Sequence, residues 1–105
     1  MYIYNITTNV DESIAKEWLV WMQHIFIPKI LESKKIHKAI LTQVQVEEEM
    51  GGVTFSTQYF CESETILNNF IDNDLPLIKK NNSNFTGQFV EFSTKLKMIK
   101  EFIDG

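Results

Sequence analysis

Apolar residues recur along this chain with two different periods, and the switches between them mark out its elements. Tyr2-Ile3-Tyr4-Asn5-Ile6-Thr7-Thr8 is dense in aromatic and β-branched side chains, which suit a pleated surface, and it predicts a first strand. From Ile14 the apolar positions fall at Trp18, Trp21, Met22 and Ile25, the spacing of one stripe along a helix. Asp11 or Ser13 can accept a hydrogen bond from the first free amides of that helix. Pro28 lacks a backbone donor and crowds the turn before it, so the helix should kink or restart there. Ser33-Lys34-Lys35 should end it.

The same signals repeat in the second half. Ala39 to Val46 predicts a second strand and Val53 to Cys61 a third. Between them lies Glu47-Glu48-Glu49-Met50-Gly51-Gly52, whose glycine pair predicts a two-residue turn, because glycine reaches positive φ without steric cost. Ser63 is placed to cap a second helix running through Ile66, Leu67, Phe70 and Ile71, which Pro76 interrupts and the polar Lys79 to Asn84 stretch ends. Gln88 to about Ile99 completes the pattern as a fourth strand. The order β-α-β-β-α-β is the split arrangement of ferredoxin-like folds: an α+β class with a four-stranded antiparallel sheet. One such domain takes up residues 1–105. Phe26-Ile27-Pro28-Lys29-Ile30 and Asp74-Leu75-Pro76-Leu77-Ile78 echo each other, as two pseudo-symmetric halves would.

Alternation then assigns faces. A turn at Gly51-Gly52 would set Met50 opposite Val53, Val46 opposite Thr57 and Val44 opposite Tyr59. One face would then carry Thr42, Val44, Val46, Val53, Phe55, Tyr59 and Cys61, joined by Val90, Phe92, Leu96 and Met98, and lie beneath the helices. The other would carry Gln43, Gln45, Glu47, Thr54, Ser56, Gln58 and Phe60. That second face favours uncharged amides and hydroxyls, which meet another surface while keeping their hydrogen bonds through water. It predicts a homodimer with Gln43, Gln45, Ser56 and Gln58 at the interface. The competing reading is a plainly solvated sheet face.

Charge and composition narrow the function. Fourteen acidic against ten basic side chains give a net charge of −4, which argues against nucleic-acid binding, since that needs a basic patch. No apolar run nears the roughly 20 residues that cross a bilayer, and Met1-Tyr2-Ile3-Tyr4-Asn5 turns polar at once, unlike a secretion leader. The single cysteine, Cys61, cannot close an internal disulfide and fits a reducing, cytoplasmic setting. It falls on the helix side of strand three, where an inert packing role suits it.

Candidate chemistry is sparse. Trp18 and Trp21 either fill the core or wall a cavity for a flat ligand, to which Tyr4 and Tyr59 would add hydroxyls. His24 is placed either to act as a base, oriented by Glu17 or Glu49, or to sit idle on the helix edge. His37 follows a lysine-rich loop and reads as surface. Two histidines without a carboxylate at ligand spacing do not make a metal site. Glu47-Glu48-Glu49 alternates across a strand and cannot converge on one cation, so it reads as a charged hairpin shoulder. The candidate ligand-binding residues are therefore Tyr4, Trp21, His24 and Tyr59, with no catalytic set, metal or cofactor.

Several short motifs together resemble a known family. They are Tyr4-Asn5, Glu17-Trp18 with Trp21-Met22, Ile27-Pro28, Glu47-Glu48-Glu49 before Gly51-Gly52, Gln58-Tyr59, and Gly87-Gln88-Phe89-Val90-Glu91-Phe92. With these the chain resembles small bacterial proteins grouped as a domain of unknown function within the dimeric α/β-barrel, ferredoxin-like group. The resemblance implies two four-stranded sheets packed face to face with helices outside. Wider relatives of that group include cofactor-free monooxygenases, isomerases, decarboxylases, haem-degrading enzymes and ligand-sensing modules. Some carry a histidine immediately before the Ile-Pro pair. Here that position is Phe26, whose ring can neither take a proton nor bind iron. The expectation is a cytoplasmic dimeric barrel that binds a small molecule or a protein partner without catalysis. The alternatives are a cofactor-independent enzyme acting on an aromatic or enolisable substrate between Trp21, Tyr4 and His24, and a structural subunit of a larger assembly.

Overall fold

The structure, a computed structural model, describes residues 1–45 and 51–105. Four antiparallel strands, β1 (Tyr2–Val10), β2 (Lys38–Gln43), β3 (Val53–Cys61) and β4 (Phe89–Lys97), form one sheet in the order β2-β3-β1-β4. Two helical arms cover one side of it, so the ferredoxin-like order expected from the sequence is present. The first arm is a 3-10 turn (Glu12–Ile14), α1 (Ala15–Trp21), a π-helical turn (Met22–Phe26) and α2 (Ile27–Glu32). The second is α3 (Glu64–Asn69), another π turn (Phe70–Asp74) and α4 (Leu75–Asn81).

Local chemistry accounts for these boundaries. Asp11, not Ser13, opens the first arm: its carboxylate accepts from the Ser13 amide at 3.1 Å and from the Ser13 hydroxyl at 3.0 Å. The Ser63 hydroxyl accepts from the Ile66 amide at 3.2 Å at the start of the second. The prolines act through the π turns. The Ile27 amide donates to Met22 O and the Leu75 amide to Phe70 O, each five residues back, just before Pro28 and Pro76. Widening the turn there relieves the clash a proline ring makes with the preceding turn of an α-helix. The echo between the two halves is thus a repeated backbone device. Lys35 ties the arms together by donating to Asp74 at 2.6 Å and to Asn69.

The core lies between the arms and the sheet. Trp18 stacks on Phe55 with ring centroids 4.9 Å apart, and Met22, Phe26, Ile30, Leu67, Phe70 and Leu75 fill the layer beside it. From the sheet come Tyr4, Ile6, Thr8 and Val10 of β1 and Phe55, Thr57, Tyr59 and Cys61 of β3, all buried. Gly52 holds φ at +75° over the end of β1, where an added Cβ would stand 2.5 Å from Asn9 Oδ1 and 2.7 Å from the Val10 carbonyl oxygen.

The edge strands depart from expectation. On β2, Ala39 lies opposite Tyr59, Leu41 opposite Thr57 and Gln43 opposite Phe55. That is five residues out of step with a two-residue turn at Gly51-Gly52, and an odd shift exchanges the faces. Gln43 therefore lies on the helix side, apart from Ser56 and Gln58, while Ile40, Thr42 and Val44 take the open side. Gln45 lies exposed beyond the end of β2. The expected Val44–Tyr59 and Val46–Thr57 pairs are replaced by Ala39–Tyr59 and Leu41–Thr57, while Val46, Met50 and the Glu47-Glu48-Glu49 shoulder fall outside the described residues.

On β4 the pairing of Thr8 with Glu91, Ile6 with Ser93 and Tyr4 with Lys95 sends the polar residues toward the helices. Val90, Phe92 and Leu96 face away from them and are 72%, 67% and 39% exposed. The expectation that they lie beneath the helices is overturned. The arms roof β1 and β3, so the polar inner residues of β4 reach the edge of that roof: Lys95 donates to Asn68 at 3.0 Å, and Glu91 accepts from Lys79 at 2.6 Å. The open face consequently has a polar spine on the central strands and apolar flanks on both edges. The spine is knit by Ser56 donating to Asn5 at 2.8 Å and by Asn9 donating to Thr54 at 3.0 Å.

Candidate functional site

Where the first arm, the end of α4 and the β4 side of the sheet meet, a cavity of 180 Å³ is left. Its roof is Trp18, Trp21, Met22 and Phe26, brought to one side by α1 and the π turn that follows it. Its floor comes from alternate positions of the sheet: Ile6 and Thr8 on β1, Thr57 and Tyr59 on β3, Phe89 and Glu91 on β4. Lys79 and Asn82 from the end of α4, with Ser83, Asn84 and Thr86 from the loop after it, form the rim.

Aromatic contacts fix the roof. Trp21 lies 4.9 Å from Phe26 and meets the edge of Phe85 at 5.7 Å, with the rings 77° apart. Phe85 holds φ at +65°, a conformation that a bulky residue adopts at an energetic cost. The turn around it is closed by the Gln88 amide donating to the Phe85 carbonyl at 2.9 Å. The indole Nε1 of Trp21 is buried without a hydrogen-bond partner among the described residues. A donor left so is worth roughly 1–3 kcal/mol of destabilisation.

The floor is polar at a few points. Thr8, Thr57 and Tyr59 are almost fully buried. Burial first, and then the neighbouring Glu91 carboxylate, push the Tyr59 hydroxyl far above the ordinary tyrosine range, so it stays protonated. The ion pair Lys79 Nζ–Glu91 Oε1, at 2.6 Å, spans α4 and β4 at the cavity's edge with both side chains partly exposed. Such a space can hold a small molecule by apolar contact and offer it hydroxyl hydrogens. Among the described residues no three His, Cys, Asp or Glu side chains group to hold a metal ion.

Of the four ligand residues expected from sequence, the structure brings Trp21 and Tyr59 together here. Tyr4 is packed in the core beside the cavity without lining it. His24 is exposed, and with Glu17, Val20 and Ile25 it lines an open groove that touches the cavity's surroundings only through Trp21 and Asn84. The arrangement of Trp21, Tyr4 and His24 around one substrate is therefore not assembled. Thr8, Thr57, Lys79 and Glu91 were missed. Thr8 and Thr57 carried a signal, as hydroxyls at inward positions of otherwise apolar strands.

The fold has counterparts among solved structures. A dimeric ferredoxin-like protein from an uncultured marine organism superimposes with a TM-score of 0.71 at 13% identity, over 99% of this chain and 100% of that one. A proposed antibiotic biosynthesis monooxygenase from Deinococcus radiodurans gives 0.69 at 13% identity over the whole of both chains. HapK from Hahella chejuensis gives 0.67 at 7% identity, again over the whole of both. At such identities the likeness is one of fold. No curated protein matches the sequence. Residues 1–99 match the family described as "Domain of unknown function (DUF4286)", and the chain belongs to that family.

Proposed function

We propose that this protein is a cytoplasmic homodimer that binds a small molecule in the helix–sheet cavity without transforming it. The observation that carries the reading is the cavity itself: 180 Å³, walled by Trp18, Trp21, Met22 and Phe26, with the Tyr59, Thr8 and Thr57 hydroxyls on its floor. Ligand sites have this make-up, an apolar concavity with a few convergent polar groups. His24, the residue type best suited to general-base chemistry near neutral pH, lies outside it, which favours binding over catalysis. The buried, unpaired Cys61 suits a reducing compartment.

The homodimer rests on the open sheet face. Its flanks expose Val90, Phe92 and Leu96 on one edge and Ile40 and Val44 on the other, around a spine that includes Ser56 and Gln58. Large apolar side chains exposed on one sheet face mark an interaction surface, and the dimeric marine protein of the same fold is the precedent. Ser56 and Gln58 meet the second copy at the centre while β4 supplies the apolar contact. Gln43 takes no part, because it lies on the helix side. Native mass spectrometry of the gently purified protein tests both elements: the expected species is a dimer carrying a small organic adduct, and a bare monomer would overturn the reading.

A further inference from the structure

The contents of the cavity follow from its size, walls and charges. An apolar protein cavity of about 150 Å³ is filled by benzene. At 180 Å³ this one takes a single six-membered ring with a short substituent, and two fused rings overfill it. Trp18, Trp21 and Phe26 supply flat faces on which a planar ring stacks. Among the described residues, Lys79 and Glu91 are the charged groups that line it, and at 2.6 Å they satisfy each other. A charged ligand would have to split that pair or lie unpaired against apolar walls, and either is costly.

What the floor offers is hydroxyl. Tyr59 is 1% exposed, and its side chain lines the cavity beside Thr57 and Thr8. A tyrosine hydroxyl held protonated in apolar surroundings is a hydrogen donor in search of an oxygen. We propose that the cavity takes an uncharged single-ring molecule bearing one oxygen acceptor, of the aryl ketone kind, with the Tyr59 hydroxyl donating to that oxygen. This assignment rests on the cavity being a ligand site.

The test is a set of four probes titrated by calorimetry into the intact protein: acetophenone, its hydrocarbon shape-mate isopropylbenzene, benzoate, and the two-ring 2-acetonaphthone. Acetophenone should bind about tenfold more tightly than isopropylbenzene, the worth of one neutral hydrogen bond. Benzoate and 2-acetonaphthone should bind more weakly than either. Tyr59→Phe should bring acetophenone down to the level of isopropylbenzene and leave the latter unchanged, which also reports that the variant is folded. Equal binding of acetophenone and isopropylbenzene, or a preference for benzoate or 2-acetonaphthone, overturns the ligand class while the cavity stands as a site. Binding of none of the four removes the site and this assignment together. The wild-type ordering decides the matter even if the variant does not fold.

Discussion

Phe92→Asp separates two accounts of the sheet. If strand four turned its apolar residues beneath the helices, an aspartate there would be buried in the core and the domain would unfold. In the structure Phe92 is 67% exposed on the open face, so a single chain should tolerate the change. The cost falls on association. A phenylalanine side chain presents roughly 200 Å², of which the exposed share here is about 130 Å². At about 25 cal/mol per Å² its burial in a dimer contributes about 3 kcal/mol per copy. A symmetric dimer holds two, for about 6 kcal/mol, or roughly four powers of ten in dissociation constant. Sedimentation equilibrium across micromolar concentrations, paired with circular dichroism, reads both quantities. The expected variant is a folded monomer. A variant that stays dimeric shows that this face is not the interface, and one that unfolds shows that Phe92 belongs to the core.

Two other perturbations test the interior. Tyr59 has a hydroxyl pKa raised by folding, so its contribution is fully present below the unfolded value of about 10 and is lost as pH climbs beyond it. Urea melts from pH 8 to 12 should show a stability decline that Tyr59→Phe makes shallower, and equal slopes would contradict the buried, protonated hydroxyl. Gly51→Ala and Gly52→Ala both place alanine at φ +75°, but only the second meets Asn9 Oδ1 and the Val10 carbonyl. Gly51→Ala should cost about 1 kcal/mol and Gly52→Ala about 2–3 kcal/mol, measured by denaturant unfolding. Equal costs would mean that the close approach to β1 is absent.

The readable parts of this chain were those written in neighbouring residues. The tryptophan stripe, the Ser63 cap, the prolines and the glycine pair each announce themselves within a few positions, so element order and the extent of β3 followed. The edge strands did not. Alternation along Val90-Glu91-Phe92 separates two faces but does not say which faces inward. Choosing the apolar one assumes that only one side of the sheet is covered, which fails when both edges turn apolar residues outward. The β2 register failed with it, because the glycine pair suggested a shorter connection than the observed pairing of Gln43 with Phe55 allows. The cavity was half legible: Trp21 and Tyr59 are conspicuous residues, whereas Lys79 and Glu91 meet only because the polar side of β4 turns inward beneath the end of α4.

The π turns have a bearing on how this scaffold tolerates changes in length. A hydrogen bond reaching five residues back, as from Ile27 to Met22, accommodates one residue more than the α-helical repeat. Removing an exposed residue such as Gln23 or His24 would tighten the turn to the α-helical repeat and keep what lies beyond it in phase, but it would bring the Pro28 ring back against the preceding turn. The strain would fall on Met22 and Phe26, which line the cavity roof. Insertions and deletions within Met22–Phe26 are therefore not neutral events on a solvent-facing helix. They reset the shape of the space above Tyr59, and the second arm is bound in the same way, because Lys79 and Asn82 beyond its π turn line the cavity rim.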